Sequence, residues 1–113
     1  MVGRNNLLVA PPYPVEQALI RLGNNLRLAR LRRKQTIADV AEKIGTGVRA
    51  VRDAENGKAS SGVAVYAALL WAFDLLQPFE ELANPLKDQE GLALASAKEN
   101  RRARKNSGLD NDF

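Results

Sequence analysis

Between Thr36 and Gly57 the chain has room for two short helices and one tight turn, and little else. Thr36 can cap a helix, and Asp39 three positions on gives an imperfect capping box. Ile37, Val40, Ala41 and Ile44 then recur at helical spacing. Gly45, free to adopt positive φ, stops this helix after about two turns. Only Thr46 and Gly47 intervene before a second short helix, in which Val48, Val51 and Glu55 share a face while Arg49, Arg52 and Asp53 point elsewhere. Asn56-Gly57 is a turn signal that ends it.

The flanking segments supply what such a pair must pack against. Val15, Leu19, Leu22, Leu26 and Ala29 step by four, three, four and three, which is one face of a helix. From Arg21 to Lys34 there are six positive residues and no negative ones. Cations late in a helix complement its dipole, so part of this run needs no ligand to explain it. Ser60 or Ser61 can cap a fourth helix running to about Leu76, with Tyr66, Leu69, Leu70, Phe73 and Leu76 on one side. Val65, Ala68, Trp71 and Ala72 widen that face beyond one buried stripe, which points to a second contact surface. Pro78 suits the first position of a fifth short helix, with Phe79 and Leu82 turned inward. The expectation is an all-α, five-helix domain over residues 15–83.

An irregular arm, residues 1–14, is expected before it. Pro11, Pro12 and Pro14 disfavour regular structure there, and Leu7-Leu8-Val9 suits a short strand against a partner. Residues 84–113 open on Asn84-Pro85 and hold few core formers. They are expected as a flexible tail with a short helix near residues 92–104. Within it, KENRRARK at 98–105 carries five cations and one acid. This cluster suits added nonspecific DNA affinity, an acidic protein surface, or simple solvation.

With 113 residues the chain is long enough for one compact domain and too short for two ordinary ones. A formal net charge of +4 suits an anionic partner. There is no cysteine and no histidine, so disulfides, zinc sites, thiol nucleophiles and histidine bases are excluded together. Neither a metal nor another cofactor is expected. Ser60 and Ser61 have no histidine to activate them and no glycine-rich phosphate loop is present, so an enzyme is not expected. Charges interrupt every long apolar stretch, and the run 7–10 is too short for a signal peptide, so a cytoplasmic protein with no membrane partner is expected.

Two short helices joined by a glycine turn inside a helical bundle have the geometry of a helix-turn-helix. A major groove roughly 12 Å wide admits one helix with its side chains. The first short helix must cross the second closely to hold it out, which Ala41 and Gly45 permit, and Val51 anchors the second helix inward. Over residues 22–82 the chain resembles the Cro/CI (Xre) family of repressors. The resemblance is carried by LGNNLRLARLRRKQTIADVAEKIGTGVRAVRDAENGK and the apolar helix after it. Its signature pieces are Leu26-x-x-Ala29-Arg30, Ala41-x-x-x-Gly45 and Glu55-Asn56-Gly57.

The resemblance implies a role for each of several residues. Arg30 and Glu55 match the family's internal ion pair, and Arg30 does border the apolar stripe of its helix. Val48 and Arg49 match its principal base-contacting positions. Arg49 suits a guanine through two hydrogen bonds, and Arg52 suits either a base or a phosphate. Val48 departs from the usual polar residue and is limited to a thymine methyl. Ile37 replaces the usual glutamine, which removes one phosphate clamp. Thr36, Lys58 and the backbone at Thr46 and Gly47 then become the phosphate candidates. Double-stranded DNA with a palindromic operator and a homodimer are the partners implied. Asn84-Pro85, Glu90-Gly91-Leu92-Ala93-Leu94, the basic stretch and the terminal Leu109-Asp110-Asn111-Asp112-Phe113 look like HipB-type antitoxins. That narrower resemblance implies a HipA-like serine/threonine kinase toxin as a further partner. The alternative is a stand-alone phage-type or host repressor without one.

Overall fold

The structure, a computed structural model, describes residues 6–110, with side chains as far as Lys105. Every regular element among them is helical. They are α1 (Asn6–Val9), α2 (Tyr13–Arg32), α3 (Ile37–Ile44), α4 (Val48–Glu55), α5 (Val63–Ala72), α6 (Leu76–Glu80), a 3-10 turn (Pro85–Lys87) and α7 (Gln89–Asp110). The chain divides after Glu80 into two compact units.

In the first unit α4 packs on α2 and α3, and α5 packs on α3 and α4. The core takes Leu26 and Ala29 from α2, Val40 and Ala41 from α3, Val51 and Ala54 from α4, and Tyr66, Leu69 and Phe73 from α5 and its end. Burying apolar side chains of this kind supplies the driving force, roughly 25 cal/mol per Å² removed from water. Two glycines let α2 approach the end of α4. A Cβ on Gly23 would sit 2.5 Å from the Glu55 carbonyl oxygen, and one on Gly57 would sit 2.6 Å from the Ile20 Cα. Gly57 also has φ +68°, a conformation that side chains resist.

Both ends of α3 are closed by local hydrogen bonds. The Asp39 N–H donates to the Thr36 hydroxyl oxygen at 3.0 Å, and the Thr36 N–H donates to the Asp39 carboxylate at 3.0 Å. The capping box is thus complete although its acid is the shorter aspartate. At the other end Gly45 adopts φ +78°, and its N–H and that of Thr46 both reach the Ala41 carbonyl, at 3.0 and 2.9 Å. This is the glycine-ended helix stop that satisfies the last carbonyls.

Several expected boundaries move. Leu7-Leu8-Val9 lies in the helical turn α1, not in a strand. α2 starts at Tyr13, with Pro14 in its first turn where a missing N–H does no harm. Val15, expected in the core stripe, is 44 % exposed. The cap of α5 is Gly62 rather than Ser60 or Ser61. α5 ends at Ala72, four residues short of Leu76, because Asp74 turns the chain with φ +58°. α6 begins at Leu76, and Pro78 is its third residue, not its first. Phe79 is half-buried, but Leu82 falls in the second unit and is exposed.

The second unit is dominated by α7, of 22 residues. A flexible tail with a helix at 92–104 was expected there. The helix starts earlier because Asp88 caps it, its carboxylate accepting from the Gly91 N–H at 3.0 Å. Leu109 and Asp110 extend the helix past its expected end, and the terminal residues Asn111, Asp112 and Phe113 lie outside the described residues. No helix among the described residues is long and apolar enough to cross a membrane.

Candidate nucleic-acid interface

α4 has one buried face and one open face. Val51, Ala54 and Glu55 turn inward, and Val48, Arg49 and Arg52 are exposed. Arg49 and Arg52 are three residues apart, so they are neighbours on the helix surface. No ion pair engages either of them among the described residues. Two guanidinium groups therefore stand on the outer face of the helix with their donors open to a ligand.

What holds α4 in place is a charged group in the core. Arg30 and Glu55 are both buried. Arg30 Nε donates to Glu55 Oε2 at 2.7 Å and Nη2 donates to Oε1 at 3.0 Å, a two-pronged pair. The remaining arm, Nη1, donates to the Gln35 carbonyl at 2.9 Å. One guanidinium thus ties α2, the α2–α3 connection and the end of α4 together. Its hydrogen bonds to Glu55 raise the Arg30 pKa against the opposing effect of burial, and the side chain stays charged.

Four further positions are expected to meet phosphate: Thr36, Thr46, Gly47 and Lys58. The exposed Thr36 hydroxyl accepts the cap bond from the Asp39 N–H and also hydrogen-bonds the Asp39 carboxylate. Lys58 lies 3.8 Å from Asp53, with both side chains partly solvated. Its backbone carbonyl accepts from the Tyr66 hydroxyl at 3.1 Å, which pins the loop after α4 to α5. Burial raises the Tyr66 pKa, so the phenol keeps the proton it donates. Gly47 is the N-cap of α4 and is exposed; no side chain caps this helix start. The backbone of Thr46, expected to meet phosphate, is engaged instead: its N–H is held by the Ala41 carbonyl. Thr46 keeps only its hydroxyl for that purpose, and it is half-buried.

No protein-family model, curated protein or solved structure matches this chain. Among the described residues no group of acids could hold a metal ion.

Two further cations tie α2 and α3 to the end of α5. α5 ends without a basic residue of its own in the last turn. Lys43 of α3 donates to the Ala72 carbonyl at 3.2 Å and lies 5.9 Å from the centre of the Trp71 ring. Arg33 donates to the Phe73 carbonyl at 3.0 Å and lies 5.3 Å from the Phe73 ring centre. Both cations thereby sit where the helix dipole is negative. The run Arg21 to Lys34 signalled cations at the end of α2, but nothing in it told which would turn back to α5. Spacing arguments pass over Gly23, although a glycine inside a helix costs about 1 kcal/mol against alanine and so calls for a packing reason.

Proposed function

We propose that this chain is a sequence-specific DNA-binding transcriptional repressor in which α3 and α4 form a helix-turn-helix. The observation that carries this reading is the pair of exposed guanidinium groups, Arg49 and Arg52, engaged in no ion pair among the described residues, on a short helix whose opposite face is locked into the core. A major groove roughly 12 Å wide takes such a helix, and Arg49 near its start reads guanine O6 and N7 with two hydrogen bonds. Arg52, one turn on, reaches an adjacent base or phosphate. Val48 touches a thymine methyl. The Thr36 hydroxyl, the Gly47 N–H and the Lys58 ammonium hold phosphates and so set the register. Arg30 and Glu55 contact no DNA; they fix the angle at which α4 is offered.

The repressor works as a homodimer on a palindromic operator, each copy reading one half-site. The exposed apolar surface at Trp71, 54 % exposed, and Leu75, 42 % exposed, supports a self-association face. Selection of duplexes from a random pool, followed by footprinting, tests the reading. It predicts a palindrome with half-sites one helical turn apart; recovery of unrelated sequences contradicts it.

The narrower proposal is that the chain is the antitoxin of a HipA-like serine/threonine kinase. It is distinguished from a stand-alone repressor by titrating the chain with the HipA-like kinase encoded beside it. Tight binding supports the antitoxin, and no binding, or no such neighbour, leaves the repressor alone.

A further inference from the structure

We infer that α7 is a second DNA-contacting element, which lays a stripe of four cations along the phosphate backbone independently of base sequence. The inference rests on the DNA-binding reading above and extends it to a helix that reading does not use. Lys98, Arg101, Arg102 and Lys105 fall at intervals of three, one and three along α7. Those are the intervals that line one side of a helix. All four side chains are exposed, and none is in an ion pair with an acid among the described residues.

The stripe disfavours its own helix. Lys98 neighbours Arg101 and Arg102, and Lys105 neighbours the same two, so like charges meet at every adjacent position. A polyanion laid along the stripe relieves that repulsion. The stripe runs about 10 Å, at 1.5 Å per residue. Duplex DNA presents one charge per about 1.7 Å of its axis, so every cation on the stripe finds a phosphate. An acidic protein surface fits less well. Protein interfaces centre on apolar and aromatic groups and are poor in lysine. Between Lys98 and Lys105 the sole apolar residue is Ala103. Leu92 and Leu94 lie before the stripe and two residues apart, so they build no apolar seam along it.

The test compares the full chain with the K98Q/R101Q/R102Q/K105Q variant. Glutamine has a helix propensity close to those of lysine and arginine, and circular dichroism checks that the helix content is kept. Binding to a random-sequence duplex is followed by fluorescence anisotropy between about 50 and 200 mM salt. The variant should lose at least about tenfold in affinity at the low-salt end, and its log–log salt slope should be shallower by about 3.6 units, about 0.9 for each of the four phosphate contacts. The same fold loss should appear on any selected operator. An unchanged slope and affinity overturns the inference while leaving base reading by α4 intact. Loss of binding to polyglutamate with an unchanged duplex slope overturns it in favour of an acidic protein partner. If the slope falls as expected but no sequence is preferred, the α7 inference stands and operator reading fails. If the full chain binds no duplex, both fail.

Discussion

Arg30 makes three hydrogen bonds to two other parts of the chain, two to the Glu55 carboxylate and one to the Gln35 carbonyl. Its hydrogen bonds to Glu55 neutralise two charges that burial would otherwise penalise heavily. Glu55→Ala leaves the guanidinium buried and unpaired, so we predict a loss of about 3–5 kcal/mol, read by urea unfolding. Replacing both residues with apolar ones of similar volume should recover most of it; a Glu55→Ala loss below about 1 kcal/mol would show that the pair is not buried in solution. Gly23 gives a second residue-scale prediction with a diagnostic sign. In an ordinary exposed helix, glycine to alanine gains up to about 1 kcal/mol. Here the new methyl meets the Glu55 and Ala54 carbonyls, so Gly23→Ala should destabilise by about 1–3 kcal/mol in the same assay. Arg30's place beside the apolar stripe is legible from spacing, whereas its partner is twenty-five residues away and comes only from family resemblance. The bond to the Gln35 carbonyl has no sequence signature, since any residue offers a carbonyl.

At the scale of elements, α3 and α4 are legible because each carries its own punctuation: Thr36 and Asp39 at one start, Gly45 at the stop, Asn56 and Gly57 at the second end. Thr36→Ala removes the cap and should cost about 1 kcal/mol of stability. The Asp39 carboxyl is held below its ordinary pKa, first by the backbone N–H of Thr36 and then by its side chain. A depressed carboxylate stabilises above its unfolded pKa, and that contribution fades as pH falls through the folded value. Wild type should therefore exceed Asp39→Ala in stability at neutral pH, with the gap narrowing below about pH 4. A gap that stays constant across that range would mean the carboxylate does not cap α3. Elsewhere local pattern gives the wrong ends. α5 stops at Ala72 because the turn at Asp74 has a non-glycine residue at positive φ, which no propensity scale anticipates. α7 reads from composition as a tail with only a short helix near residues 92–104, because it has almost nothing to bury. Most of its residues are alanine, leucine, lysine, arginine and glutamate, whose intrinsic preference favours helix, with Gly91 and Gly108 as the exceptions that disfavour it most.

For the whole molecule, the all-helical architecture follows from periodicity alone, while the division after Glu80 does not. Phe79 and Leu82 look alike in a sequence, yet one is half-buried and the other exposed. Only the end of α6 between them decides this. The surface left outside the core includes Trp71 and Leu75, and a second copy is proposed to cover it. Sedimentation at micromolar concentration should show a dimer, whose recognition helices lie about 34–36 Å apart to match one turn of DNA. A monomer with and without operator would contradict that arrangement. The central claim is that α4 reads bases through Arg49. It is tested most directly by titrating wild type and Arg49→Ala against the selected operator and a scrambled duplex at one fixed salt concentration. The variant should lose about 1–3 kcal/mol on the operator, relax its preference at one base pair, and bind the scrambled duplex as wild type does. Normal operator binding by Arg49→Ala, or an equal loss on both duplexes, would contradict it.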